Sequence, residues 1–258
     1  KNTGQHFQIL FQNGEIAPKM HTARAQQELL TQPKRHSCIS KDLNRFSEIF
    51  SNDINIAVWK RKLEANLHQA AQNILREDPN FNLSLVPRKH EIKEVLISEL
   101  GSKNSISILI DDISRLANLF CSLFELDRVW IRLDAINRPM CPRFHTDALK
   151  CRLVTTYIGP ATEWLPHHLV DRSKLGSGNN GQPDQKSGLF KSKVDIQKLN
   201  TGDVALLKGD AWEGNEEAGI VHRSPHSEDD YKRLYMTIDF QELFLKIYQQ
   251  NKRFTMLN

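Results

Sequence analysis

The segment KRLYMTIDF, residues 232–240, sets Arg233, Tyr235, Thr237 and Asp239 against Leu234, Met236, Ile238 and Phe240 in unbroken alternation. Successive side chains of a strand point to opposite faces, so this segment is a strand with one apolar face and one polar face. The apolar face calls for a core beneath it. The polar face carries a guanidinium, a phenol, a hydroxyl and a carboxylate; it is either solvated or the wall of a polar pocket. Upstream, residues 129–136 alternate in the same way, with Val129, Ile131, Leu133 and Ala135 against Trp130, Arg132, Asp134 and Ile136. Residues 150–158 and the segment GDVALLKG, residues 202–209, are further strand candidates.

Before Asp127 the dominant period is that of a helix. Residues 54–59, INIAVW, form a short strand, after which Leu63, Leu67, Ala70, Ala71 and Ile74 recur at spacings of three and four. That helix stops near Asp78-Pro79, because the residue before a proline is pushed out of the helical region. Asp111 and Asp112 are cap candidates for a second helix with Ile113, Leu116, Phe120 and Leu123 on one face. The expected organisation is an irregular N-terminal arm (residues 1–50), a helical and mixed portion (51–127), a strand-rich portion (128–240) and a closing C-terminal helix (241–258). Residues 171–188 hold four glycines with Asn179, Asn180 and Pro183, which predicts a flexible loop and a candidate lid. This order fits an α+β fold, a β-sandwich or barrel with helices from the first half packed outside.

Composition narrows the class without naming a partner. The chain has 258 residues, 39% hydrophobic and 26% charged, enough for a sizeable core, and no apolar stretch reaches the ~18 residues of a membrane span. A soluble protein with no membrane role is expected. Lys and Arg exceed Asp and Glu by 35 to 31, a net charge of +4, too small an excess to support a dedicated nucleic-acid binder. Four cysteines are too few for a disulfide scaffold, and residues 1–12 show no export signal, so a reducing, cytoplasmic setting is expected. Substrate and oligomeric state are not legible.

The candidate chemistry lies in CPRFHTD, residues 141–147. On a strand, His145 and Asp147 point to the same side with Cα atoms about 6.6 Å apart, so an imidazole and a carboxylate can reach one divalent ion. His222, in GIVHRSP, is the natural third ligand. Two histidines and one carboxylate form the facial ligand set of non-haem Fe(II) oxygenases. Arg233 then stands on the polar face of the last strand, where its planar fork suits a carboxylate. The plainer readings are a hydrogen-bonded His145–Asp147 surface pair, and an Arg233 that pairs with Asp239 or Glu213. Asp203 reads as a turn residue, Trp130, Trp164 and Trp212 as packing, His167 and His168 as solvated, and His226 as a solvated or spare ligand.

The order His145-x-Asp147, a Gly-Asp-Val strand, His222-Arg223 and then Arg233 resembles the Fe(II)/2-oxoglutarate-dependent oxygenases, a branch of the cupin-like double-stranded β-helix folds, over residues 130–240. Within that span CPRFHTD, TYIGPATEWLP, GDVALLKGDAW and HRSP resemble an uncharacterised bacterial family of unknown function whose genes lie near zinc-homeostasis genes. The resemblance implies a double-stranded β-helix (jelly-roll) barrel and a hydroxylase-type oxygenase with an unidentified substrate. It implies Fe(II) held by His145, Asp147 and His222, with the distal carboxylate of 2-oxoglutarate on Arg233 and a hydroxyl from Tyr157. The alternative is a zinc-binding homeostasis protein without oxidative chemistry. It would hold Zn(II) with Cys141, His145, His222 and Cys151, thiolate and imidazole being zinc's preferred structural ligands.

Overall fold

The computed structural model of the chain describes residues 34–226 and 232–245. Seven strands form the larger sheet, in the order β1 (His36–Ser40), β2 (Ile54–Trp59), β8 (Val204–Lys208), β5 (Cys151–Ile158), β10 (Arg233–Phe240), β4 (Val129–Ile136) and β3 (Asn82–Leu85). A smaller sheet joins β7 (Gln197–Lys198), β6 (Glu163–Leu165) and β9 (Val221–Arg223). Among the described residues, the helices α1 (Ala65–Glu77), α2 (Ile92–Leu100) and α3 (Asn104–Leu123) complete a mixed α+β fold.

The alternation of β10 decides how these layers sit. Leu234, Met236 and Ile238 join Ile131 and Leu133 of β4, Leu153 of β5 and Leu206 of β8 in one core. The apolar stripes of the helices close that core from outside, with Leu67, Ala70 and Ile74 from α1 and Ile113, Leu116 and Phe120 from α3. On the opposite face, Ile56, Val58, Val154, Ala205 and Leu207 of the larger sheet pack on Trp164 of the smaller one. The remainder of that face, along β10 and β4, keeps the polar residues. β10 lies between β5 and β4 and is antiparallel to both. Gly159, with φ +83°, makes the turn after β5 possible, since a Cβ there would meet the carbonyl of Lys232 and lie 3.2 Å from the Arg233 Cα.

Several expectations change. Helix α3 begins at Asn104, so Asp111 and Asp112 are interior residues and not caps. Asp112 is buried because it is bound by Arg61 at 2.6 Å and by the Tyr157 hydroxyl at 2.8 Å. Of the expected N-terminal arm, residues 1–33 lie outside the described residues, while the remainder is ordered. There β1 pairs in parallel with β2, and a 3-10 helix, Leu43–Phe50, buries Phe46 and Ile49. Residues 241–245 are helical, and the rest of the expected closing helix lies outside the described residues. The glycine-rich stretch forms 3-10 turns at Arg172–Lys174 and Gly176–Asn179. It is tied down by Asp184, which accepts from the Phe144 amide at 2.9 Å and from Arg223 at 3.3 Å. Among the described residues no helix is long and apolar enough to cross a membrane.

Candidate metal centre

His145 and Asp147 lie on the chain between β4 and β5, and His222 is the middle residue of β9. A two-residue bridge joins them: the His145 amide donates to the His222 carbonyl at 3.0 Å, and the His222 amide donates back at 2.9 Å. Their rings are 4.6 Å apart. Asp147 is fixed by its own backbone, whose carbonyl accepts from the Asp210 amide at 2.9 Å. Gly209 sits so close beneath it that a Cβ would collide with the carbonyls of Leu149 and Asp147.

The two imidazoles are oriented by the same device. His145 Nδ1 is 2.9 Å from the Arg143 carbonyl, and His222 Nδ1 is 3.1 Å from the Ile220 carbonyl. A carbonyl only accepts, so each Nδ1 carries the proton and each Nε2 presents a lone pair. Both Nε2 atoms face Asp147, at 3.8 Å from Oδ1 for His145 and 3.6 Å from Oδ2 for His222. These separations exceed a hydrogen bond. Burial drives His222 below the ordinary imidazole value in spite of Asp147, which keeps it neutral at pH 7. Burial pushes the Asp147 carboxyl up, but the positive charge around it, His222 once protonated and then Arg152, more than offsets it, and the group lies below the ordinary carboxylate value. Two lone pairs and a carboxylate therefore converge, with ligand atoms within 4.8 Å of one another. A divalent cation about 2.0–2.2 Å from each relieves that arrangement, so the donor set fits a metal.

Charged residues hold the carboxylate from behind. Arg152 donates to Asp147 Oδ2 at 3.0 Å and, through Nε, to Asp239 Oδ1 at 2.7 Å. Arg132 reaches Asp239 Oδ2 at 3.0 Å. Arg233 is 1% exposed and donates to the hydroxyls of Thr156 at 3.0 Å and Thr162 at 3.1 Å, with its plane 4.0 Å from the Tyr235 ring centroid. It shares a cavity of about 140 Å³ with His145 and His222. Behind the histidines, Phe144, Leu165, Leu189, Phe190 and Val221 make an apolar cluster.

The structure therefore brings His145, Asp147 and His222 together and lines their cavity with Arg233, but not with Tyr157 or with a zinc-type thiol pair. Tyr157 shares the helix-side face of β5 with Cys151 and Leu153, and its hydroxyl donates to Asp112. The aromatic residue beside Arg233 is Tyr235. Cys151 is buried in the same core, where burial pushes its thiol up. Cys141 is exposed at the cavity wall and, like Cys151, stands outside the ligand cluster. His226 is exposed. His168 is exposed as expected, while His167 is half-buried: Arg172 lies 3.1 Å from its Nδ1, and burial brings its pKa down to about 4. Arg132, Arg152 and Thr237 were missed as site residues, although the parity of β4, β5 and β10 already placed them on the polar face.

A family described as "Protein of unknown function (DUF1826)" matches residues 40–239. No curated protein matches the chain. Among solved structures, the rice dioxygenase for auxin oxidation is similar at 8% identity and a TM-score of 0.45, over 80% of this chain and 83% of that one. A Pseudomonas putida prolyl-4-hydroxylase is similar at 12% identity and a TM-score of 0.42, over 81% and 94%. A full-length Neurospora crassa protein, solved in complex with alpha-KG, is similar at 10% identity and a TM-score of 0.42, over 80% and 84%. At such identities these are likenesses of chain path.

Proposed function

The chain belongs to the DUF1826 family of proteins of unknown function, and we propose that it is a non-haem Fe(II)/2-oxoglutarate-dependent oxygenase of the hydroxylase type, acting on an unidentified substrate. The observation that carries this reading is the convergence of two bare Nε2 atoms and one carboxylate on a cavity that also contains a buried guanidinium. In this reading the two sheets are the halves of a double-stranded β-helix, with β4, β10, β5 and β8 in one and the His145 bridge, β9, β6 and β7 in the other.

His145, Asp147 and His222 would hold the metal on one face and leave its other positions open. Bound there with 2-oxoglutarate, Fe(II) supplies the oxidation of a substrate C–H bond by dioxygen, coupled to decarboxylation of the 2-oxo acid. The protein's own part is placement. Arg233, stiffened by two threonine hydroxyls and the Tyr235 ring, offers a preoriented fork to the distal carboxylate. Arg152 keeps Asp147 turned toward the histidines. The apolar cluster behind the histidines keeps water from that side. The test is calorimetric titration of 2-oxoglutarate into the Zn(II)-loaded and metal-free protein. Binding that needs the metal and is lost in Arg233→Leu is expected, whereas metal-independent binding, or binding unchanged by Arg233→Leu, contradicts the assignment.

A further inference from the structure

A second cavity, of about 140 Å³, lies where the chain before β1, the start of β2 and the end of β6 meet, and it shares no lining residue with the cavity of the metal centre. Arg35, Asn55 and Trp164 line it although each is almost wholly buried, at 6%, 1% and 4% exposure. His167 and His168 flank them from the 3-10 turn after β6, and among the described residues no carboxylate lines the wall.

Arg35 is the informative group. Its Nε donates to Asn215 Oδ1 at 2.7 Å and its Nη2 to the Gly214 carbonyl at 2.5 Å, which fixes the fork. Its Nη1 has no partner among the described residues, and no carboxylate is in ion-pair contact with it; Asp53 and Glu216 act on it at longer range from exposed positions. A buried guanidinium is ordinarily paired, so this one lacks an anion. The Trp164 Nε1–H also has no partner, and neither it nor Arg35 Nη1 is sealed away inside the protein. His167 adds a third donor. The Arg172 guanidinium donates to its Nδ1 at 3.1 Å, so the ring proton resides on Nε2. After burial, the charges that lower the His167 pKa are all positive, Arg172 and Arg35 before His168 and His36, so the field in this cavity favours an anion.

Asn55 adds the opposite polarity. Its amide nitrogen donates to the Ala218 carbonyl at 3.1 Å, which leaves its Oδ1 as an acceptor. Three donors beside one acceptor suit an oxyanion that keeps a proton. Inorganic phosphate does so at neutral pH, and sulfate does not. We infer that this cavity is a phosphate-binding site, with Arg35, Trp164 and His167 donating to the anion and Asn55 accepting from its protonated oxygen.

The test is calorimetric titration of the metal-free protein with phosphate, sulfate and methyl phosphate. Phosphate is expected to bind, and sulfate to bind about tenfold more weakly or less, the scale of the one hydrogen bond it cannot make. Trp164→Phe keeps an aromatic ring against the larger sheet and removes one donor; it should weaken phosphate about tenfold. Arg35→Gln should remove measurable binding. Arg233→Leu, in the other cavity, should leave it unchanged, with thermal melts run on every variant. Arg35 also ties down Gly214 and Asn215, so Trp164→Phe is the deciding variant. Methyl phosphate bound as tightly as phosphate assigns the site to the phosphate group of a larger molecule, and methyl phosphate bound more weakly assigns it to the free ion. No phosphate binding to the wild type, sulfate bound as tightly as phosphate, or unchanged affinity in Trp164→Phe overturns the site. Loss of phosphate in Arg233→Leu also overturns it, by placing the anion in the cavity of the metal centre.

Discussion

His145 and His222 each give an Nδ1 proton to the carbonyl two residues earlier in the chain, and that shared local geometry aims both Nε2 atoms at Asp147. Alanine at any one of the three should abolish tight metal binding while the metal-free protein melts near the wild-type temperature; a metal titration with parallel thermal melts checks both. Arg152→Leu should leave the three ligands present but unbraced, lowering metal affinity about 10- to 100-fold, the usual cost of losing an outer-shell partner. The pH dependence follows from His222. Protons compete with metal for a neutral imidazole, and burial has lowered the His222 pKa, so the loss of metal affinity that comes from protonating His222 should appear below the ordinary ~6.5 as pH drops. His145, Asp147, His222 and Arg233 were legible because each belongs to a short motif with its own chemistry. Arg152, Arg132 and Thr237 were not, because parity gives each a face of its own strand while the pairing that sets β4, β5 and β10 side by side around the ligands is not written in the sequence.

Helix α3 meets the sheet through a buried polar cluster of Asp112, Arg61 and Tyr157. Tyr157→Phe should cost about 1–3 kcal/mol of stability, since it leaves Asp112 with one fewer donor, and should not change 2-oxoglutarate affinity; melting and calorimetry on the same sample separate the two. Burial pushes the Asp112 carboxyl up, but Arg61, Arg115 and Tyr157 hold it below its ordinary value. A carboxyl depressed in the folded state stabilises the protein above its unfolded value near ~4, and that contribution disappears as pH falls through the folded value. Acid melts of Asp112→Asn should therefore show less loss of stability over that window than the wild type. At this scale β10 and β4 were legible from alternation alone. The start of α3 was obscured because Asp111 and Asp112 have the chemistry of caps, while Asp112 is in fact buried by a strand-side arginine. The 3-10 helix Leu43–Phe50 was missed because only Phe46 and Ile49 are buried in it, too short a repeat to show a period.

Across the whole molecule, the larger sheet divides its labour by face: one side packs under helices, and the other carries the cavity and the smaller sheet. The mixed α+β character was legible from the change of period after Asp127. The β9–His145 bridge was not, because it joins segments far apart in sequence through backbone hydrogen bonds that leave no pattern in side chains. That bridge is central, because the proposed Fe(II)/2-oxoglutarate site is built on it. The most direct measurement is anaerobic titration of the metal-free protein with Fe(II) and then 2-oxoglutarate, following the weak visible charge-transfer band of iron chelated by a 2-oxo acid. A saturable band that disappears in His222→Ala and is weakened in Arg233→Leu is the predicted result. No band in protein that has bound Fe(II), or a band indifferent to both substitutions, would contradict it.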